Sequence, residues 1–184
     1  MSRRRFVLLD RDGTIIVEKH YLSDPDGVEL IEGAASGLRK LAELGLGLVV
    51  VTNQSAIGRG LLELERLEEI HRRMLDQLRA QGVRLEGIYF CPHHPDDGCG
   101  CRKPLTGLVQ RAAEHLHFDA EQSFVVGDAA GDVDLGRALG ATTLLVRTGH
   151  GAAADAQVCE RADYVVADLR EAADVIAGLL SGPP

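Results

Sequence analysis

The 184 residues carry 28 acidic against 20 basic side chains, a formal net charge of −8 that argues against a nucleic-acid or anionic-membrane surface as the main partner. A chain of this length with 45% hydrophobic residues can bury one core without help from disulfides. With no Trp and only four Phe, that core must be built from Leu, Val, Ala and Ile.

The basic start Ser2-Arg3-Arg4-Arg5 leads into Phe6–Leu9, an apolar run too short for a secretory signal of about 7–15 residues. No apolar stretch approaches the roughly 18 residues that span a bilayer. The expected compartment is therefore the cytoplasm, where the four cysteines read as thiols.

Phe6–Leu9 itself reads as a first strand. Ala34–Leu44 follows as a helix with Leu38, Leu41 and Leu44 on one face, and Leu46–Val51 as a strand buried on both faces. Leu64–Gln81 places Leu64, Leu67, Ile70, Met74, Leu75 and Leu78 at helical spacing. Beyond it the pattern predicts a strand at Gly87–Phe90, a helix at Gly107–Leu116 and a strand at Ser123–Val126. A short helix at Asp132–Leu139, strands at Thr142–Val146 and Tyr164–Val166, and a closing helix at Leu169–Leu179 complete the series. This alternation implies right-handed crossovers in a single α/β domain over residues 1–184, a parallel sheet with helices on both faces. Two irregular stretches, Glu18–Gly33 and Cys91–Thr106, are long enough to suggest function, and the tail 181–184 is expected to be disordered.

The polar residues of interest follow the strands: Asp10 and Asp12 the first, Thr52-Asn53-Gln54-Ser55 the second, Arg102-Lys103 the third, and Gly127-Asp128 the fourth. In a parallel sheet those loops meet at one edge, where ligands bind. Two carboxylates at i and i+2 face one side, and their repulsion is relieved by a divalent cation such as Mg²⁺. Asp10 is then a candidate nucleophile toward a phosphoryl group, with Asp12 as general acid and base. Asp128 would join Asp10 and Asp12 as a hard oxygen ligand for Mg²⁺, while Thr52 and Lys103 hold phosphoryl oxygens. Taken singly, each residue also suits a plainer role in a turn, a helix cap or a solvated loop.

Together, Asp10-x-Asp12-Gly13-Thr14, Thr52-Asn53, Lys103 and Gly127-Asp128 with Asp132 resemble the four motifs of the haloacid dehalogenase superfamily of phosphatases. The likeness runs from Phe6 to about Gly149, with Ala162-Asp163-Tyr164 similar to the usual closing strand. It implies a Rossmann-like sheet, Mg²⁺ and an aspartyl-phosphate intermediate. No insertion is large enough for a separate cap, so the capless site should be open.

The loop 91–101 contains Cys91, His93, Cys99 and Cys101 in a C-x-H-x5-C-x-C pattern. Three thiolates and one imidazole suit a closed structural Zn²⁺ site, with His94 as the alternative to His93. Cys159, far from this cluster, reads as a core or surface thiol. Within the superfamily this loop is similar to those of heptose-bisphosphate and histidinol-phosphate phosphatases, and the flanking residues favour the former. That resemblance implies a small sugar bisphosphate as partner; the chain is expected to be a monomer. The resemblance assigns substrate contacts to Glu18, Lys19, His20 and Tyr21, to Asn53, Gln54 and Ser55, and to Arg102, with Arg59 a candidate for the distal phosphate. Two positions depart from the pattern: Ala129, where a Lys is common, and Ile16, where an Asn is frequent. An inactive, zinc-stabilised binding protein is the competing reading from another class, and the joint presence of Asp10, Asp12, Lys103 and Asp128 argues against it.

Overall fold

In the computed structural model, which describes residues 4–182, the first strand β1 (Phe6–Leu9) is central, buried along its whole length. The strands β2 (Gly47–Asn53), β3 (Gly87–Cys91), β4 (Phe124–Gly127), β5 (Thr142–Val146) and β6 (Tyr164–Val166) join it in a six-stranded sheet. Its order is β3-β2-β1-β4-β5-β6 and every pairing is parallel. The chain thus builds outward from β1 in one direction, then returns to its other side with β4. The gap between β1 and β4 is the topological switch point, and Asp10 follows β1 directly into it.

Alternate residues of each strand feed opposite faces. Val7, Leu9, Leu48, Val50, Val126 and Leu144 pack with α1 (Ala34–Glu43), α3 (Leu64–Ala80) and α7 (Leu169–Ser181). Phe6, Leu8, Val49, Val51 and Val125 pack on the other side with α4 (Gly107–Leu116) and α5 (Ala130–Leu139). The helix α3 forms because Leu67, Ile70, His71, Met74 and Leu78 recur at helical spacing and bury one face. The expected sheet and its two helical layers are present. Strand and helix ends move by one or two residues, and two short helices escape the apolar pattern: α2 (Ser55–Gly58) and α6 (Ala156–Arg161). The latter is started by Asp155, whose side chain caps the Val158 N–H.

Of the expected disordered tail, Ser181 closes α7 and only 183–184 lie outside the described residues, as does Ser2-Arg3 at the start. Between β1 and α1 the one regular element is the 3-10 turn Pro25–Gly27, so no cap domain covers the sheet edge among the described residues. No helix of the described chain is long and apolar enough to cross a membrane.

Two helices on one face touch closely at Gly37 of α1, where a Cβ would stand 2.4 Å from the Leu169 carbonyl oxygen at the start of α7. Gly37→Ala should raise helix propensity by about 1 kcal/mol but overpack a backbone contact at a cost of about 1–3 kcal/mol. The net expectation is a loss of stability in urea denaturation. A gain would mean that α1 and α7 slide apart freely.

Candidate active site

Four strand-end loops converge on a cavity of about 340 Å³ at the carboxyl edge, lined by Asp10, Asp12, Thr52, Lys103, Asp128 and Asp132 among others. Lys103 is at its centre, 7% exposed, with Nζ 2.8 Å from Asp10 Oδ1 and 2.6 Å from Asp132 Oδ1. Burial disfavours its ammonium, but the two carboxylates more than offset this and the net shift is upward, so Lys103 stays charged. Its backbone is fixed by Asn53, whose Oδ1 accepts from the Lys103 N–H at 3.0 Å and whose Nδ2 donates to the Lys103 carbonyl at 3.2 Å. Asn53, expected on the substrate, lines the cavity with both ends of its amide bound to this peptide.

Asp128 is 1% exposed and wedged against two glycines. A Cβ at Gly13 or Gly149 would come within 2.1 or 2.2 Å of its Oδ2, and Gly13 has a φ of +77° that favours glycine in any case. The His150 N–H donates to that oxygen at 2.7 Å. Burial, then the nearby Asp10 charge, pushes the Asp128 carboxyl up to about 8. Burial likewise raises Asp132 to about 6, against the pull of Lys103.

Asp10, Asp128 and Asp132 can each place a carboxylate oxygen within 4.8 Å of the others, as a shared cation requires. Asp12, expected to be the third ligand, lies outside that trio although it lines the cavity: its carboxylate takes hydrogen bonds from Arg11 at 3.0 Å and Gln54 at 2.9 Å. The physical reason is that the buried Arg11 guanidinium claims it. Gln54, expected on the substrate, is 6% exposed and bonds to Arg11, Asp12 and Thr52.

Of the other expected contacts, Glu18, His20, Tyr21, Ser55 and Arg102 line the cavity. The Nη1 of Arg102 is buried without a protein partner. Lys19 turns to the Gly27 carbonyl and Glu29, and Arg59 lies over the Tyr21 ring at 5.9 Å, both outside the lining. Ala129 does line the cavity, whereas Ile16 is in the core. Motif spacing gave no hint of Arg11 or His150. Asp132 was legible only through the resemblance.

Beside this cavity the second cluster gathers Cys91, His93, Cys99 and Cys101. Cys91 Sγ lies 3.5 Å from His93 Nδ1, 3.6 Å from Cys99 Sγ and 3.2 Å from Cys101 Sγ. A tetrahedral ion with bonds of about 2.0–2.3 Å places its ligands about 3.4–3.8 Å apart, so the four fit one ion with small adjustments. His94 is occupied elsewhere: its Nδ1 accepts from the Asp96 N–H at 3.2 Å, capping the turn Pro95–Asp97. Burial raises the Cys91 thiol to about 12, while the Cys101 backbone lowers Cys99 to about 6. Cys159 stands apart, half-buried on α6.

A HAD-hydrolase-like family model matches residues 100–172. The chain is 39% identical over 173 residues to the D-glycero-beta-D-manno-heptose-1,7-bisphosphate 7-phosphatase of Yersinia pestis, covering 90% of this chain and 91% of that one. It is similar in structure to the D,D-heptose 1,7-bisphosphate phosphatase of B. bronchiseptica complexed with magnesium and phosphate, with a TM-score of 0.84 and 30% identity over 94% of this chain and 98% of that one. This chain belongs to the heptose-bisphosphate phosphatase family of HAD-like hydrolases. The enzyme of Burkholderia thailandensis, at a TM-score of 0.71 and 30% identity, covers 95% of this chain and 99% of its own.

The acidic cluster of this family member makes its stability depend on pH. Asp128 and Asp132 have folded-state values raised from 3.8, so the folded, metal-free chain holds protons that the unfolded chain releases. Their contribution is complete below about pH 4 and is lost as pH rises through about 6 and then about 8. A cation would reverse that loss. The increase in Tm on adding Mg²⁺ should therefore be larger at pH 8.5 than at pH 6. An equal increase at both would place the bound ion away from these carboxylates.

Proposed function

We propose that this chain is a Mg²⁺-dependent phosphatase that removes the 7-phosphate of D-glycero-D-manno-heptose 1,7-bisphosphate. The observation that carries the reading is the meeting of Asp10, Lys103, Thr52 and Asp128 in one cavity, in a chain 39% identical to a heptose-bisphosphate phosphatase over nearly its whole length.

Asp10 attacks phosphorus through a carboxylate oxygen while the bond to the sugar oxygen breaks, and Asp12 gives that oxygen a proton. Lys103 and Thr52 hold the transferring phosphoryl oxygens through charge and hydroxyl. In the second half, Asp12 takes a proton from water as the water oxygen bonds to phosphorus and the bond to Asp10 breaks. Asp10 and Asp128, with Asp132 completing the acidic group, would hold Mg²⁺, which would supply positive charge to offset that of the phosphoryl group. The donor set fits: hard carboxylate oxygens from three aspartates crowded within reach of one ion, with Asp128 raised by burial and then by the Asp10 charge.

Toward the distal end, Glu18, His20, Tyr21 and Arg102 meet the sugar and its second phosphate. The buried, unpartnered Nη1 of Arg102 suits an anionic oxygen. With Ala129 in the lining, no lysine reaches the sugar from that side. Zn²⁺ in the Cys91-His93-Cys99-Cys101 cluster is structural, since four protein ligands leave no open position.

Asp10→Asn should lower turnover by at least roughly 10³-fold with fold and zinc content unchanged. Phosphate release from both anomers of the heptose bisphosphate, with histidinol phosphate alongside, tests the substrate. A strong Mg²⁺-dependent preference for a heptose anomer is expected, and better turnover of histidinol phosphate would reject the assignment. Elemental analysis should find about one zinc per chain, and Cys99→Ser should reduce both zinc content and Tm. Active, folded protein without zinc would end the structural-metal reading.

A further inference from the structure

Arg11 separates the two motif-one carboxylates in sequence, yet it is 1% exposed. A guanidinium at that depth needs a partner, because an unpaired buried charge costs several kcal/mol. Among the described residues its ion pair is with Asp12. Arg11 Nε donates to Asp12 Oδ2 at 3.0 Å and Nη2 to Oδ1 at 3.0 Å, the two-pronged geometry that lysine cannot copy. Nη2 is also 2.9 Å from Oδ2 and 3.0 Å from Gln54 Oε1. Gln54 closes the ring, donating from Nε2 to Asp12 Oδ2 and to Thr52 Oγ1, both at 2.9 Å. The nearby His71 does not compete as a charge, since burial, then the Arg11 charge, lowers it to about 3.

We infer that Arg11, with Gln54, is a positioning residue for proton transfer and leaves Oδ1 of Asp12 as the oxygen that carries the proton. A carboxylate oxygen offers two lone-pair sites. On Oδ2 both are taken, by Arg11 Nε and Gln54 Nε2. Oδ1 receives Nη2 alone and keeps one site. The O–H of Asp12 therefore forms on Oδ1 and passes to the sugar oxygen as its bond to phosphorus breaks. The same oxygen then takes a proton from water as the water oxygen bonds to phosphorus and the bond to Asp10 breaks. This rests on the phosphatase reading above and adds the residues that orient its acid.

The test compares kcat/KM on two leaving groups. The nitrophenolate of p-nitrophenyl phosphate departs without a proton, whereas the alkoxide of the heptose bisphosphate needs one. Asp12→Asn sets the reference and should lower the sugar substrate far more than the aryl one. Arg11→Lys should repeat that pattern, with a loss of about 10²-fold on the sugar substrate and under about tenfold on the aryl phosphate. Gln54→Met, which keeps the buried volume, should move in the same direction and serves if the Arg11 variants do not fold. Equal losses on both substrates in folded variants, with Asp12→Asn still discriminating, would overturn the role of Arg11 and Gln54 and spare the phosphatase reading. Failure of Asp12→Asn itself to discriminate would overturn the assignment of the acid, and the inference with it.

Discussion

The ammonium of Lys103, buried between Asp10 and Asp132, is the contact on which the rest of the site depends. Neither the cation nor the two carboxylates would be tolerated at this depth alone. Their pairing binds the loop after β3 to the end of β1 and to the first turn of α5. Asn53 then fixes the Lys103 peptide from the end of β2. One charge balance therefore sets the relative positions of four loops. The sheet makes this possible by placing β4 beside β1, so that the acidic residues of both reach one crevice.

The cysteine loop gives that arrangement a second tie. The Cys91 carbonyl accepts from the Gln54 N–H at 2.7 Å, and the Pro92 carbonyl accepts from Gly58 at 2.8 Å. A Cβ at Gly58 would stand 2.3 Å from the His94 nitrogen, so glycine is what lets the two loops meet. Whatever stiffens Cys91–Cys101 also stiffens Gln54, and through it Arg11, Asp12 and Thr52. The Cys/His cluster and Asp12 thus share a mechanical path through a few named contacts.

Much of this was legible in the sequence for physical reasons. Continuous apolar runs mark strands buried on both faces, and the 3.6-residue repeat marks α1, α3 and α7. Residues whose side chains define a chemical pattern, such as Cys91, His93, Cys99 and Cys101 or Asp10 with Lys103, could be picked out and are brought together. Asn53, Gln54 and Asp12 were harder, because an amide or carboxylate in a loop has the same letter whether it meets substrate or backbone. The partners of Gln54 and Asp12 turn on Arg11 and those of Asn53 on the Lys103 peptide, and nothing in a motif says that an arginine flanked by two aspartates will be buried. The helices α2 and α6 were missed because neither has enough turns to show an apolar face.

The two ends of the cavity are built on different terms. The phosphoryl end is fixed by buried charge pairs and by backbone that only glycine permits, as preorganised catalysis demands. The sugar end is made from an exposed loop, where His20 and Tyr21 both hold positive φ values of 41° and 56°, a conformation non-glycine residues adopt at a cost of about 1–2 kcal/mol each. Arg59 over the Tyr21 ring helps hold that turn from across the rim. Strain in a rim loop that tertiary contacts maintain is consistent with a recognition surface. Because Lys19 is bound to Glu29 and Ala129 brings no charge, the function proposed above leaves recognition of a distal anion chiefly to Arg102, which adjoins Lys103 in the chain. On that proposed function, specificity for a second phosphate and stabilisation of the first would be joined through a single peptide bond.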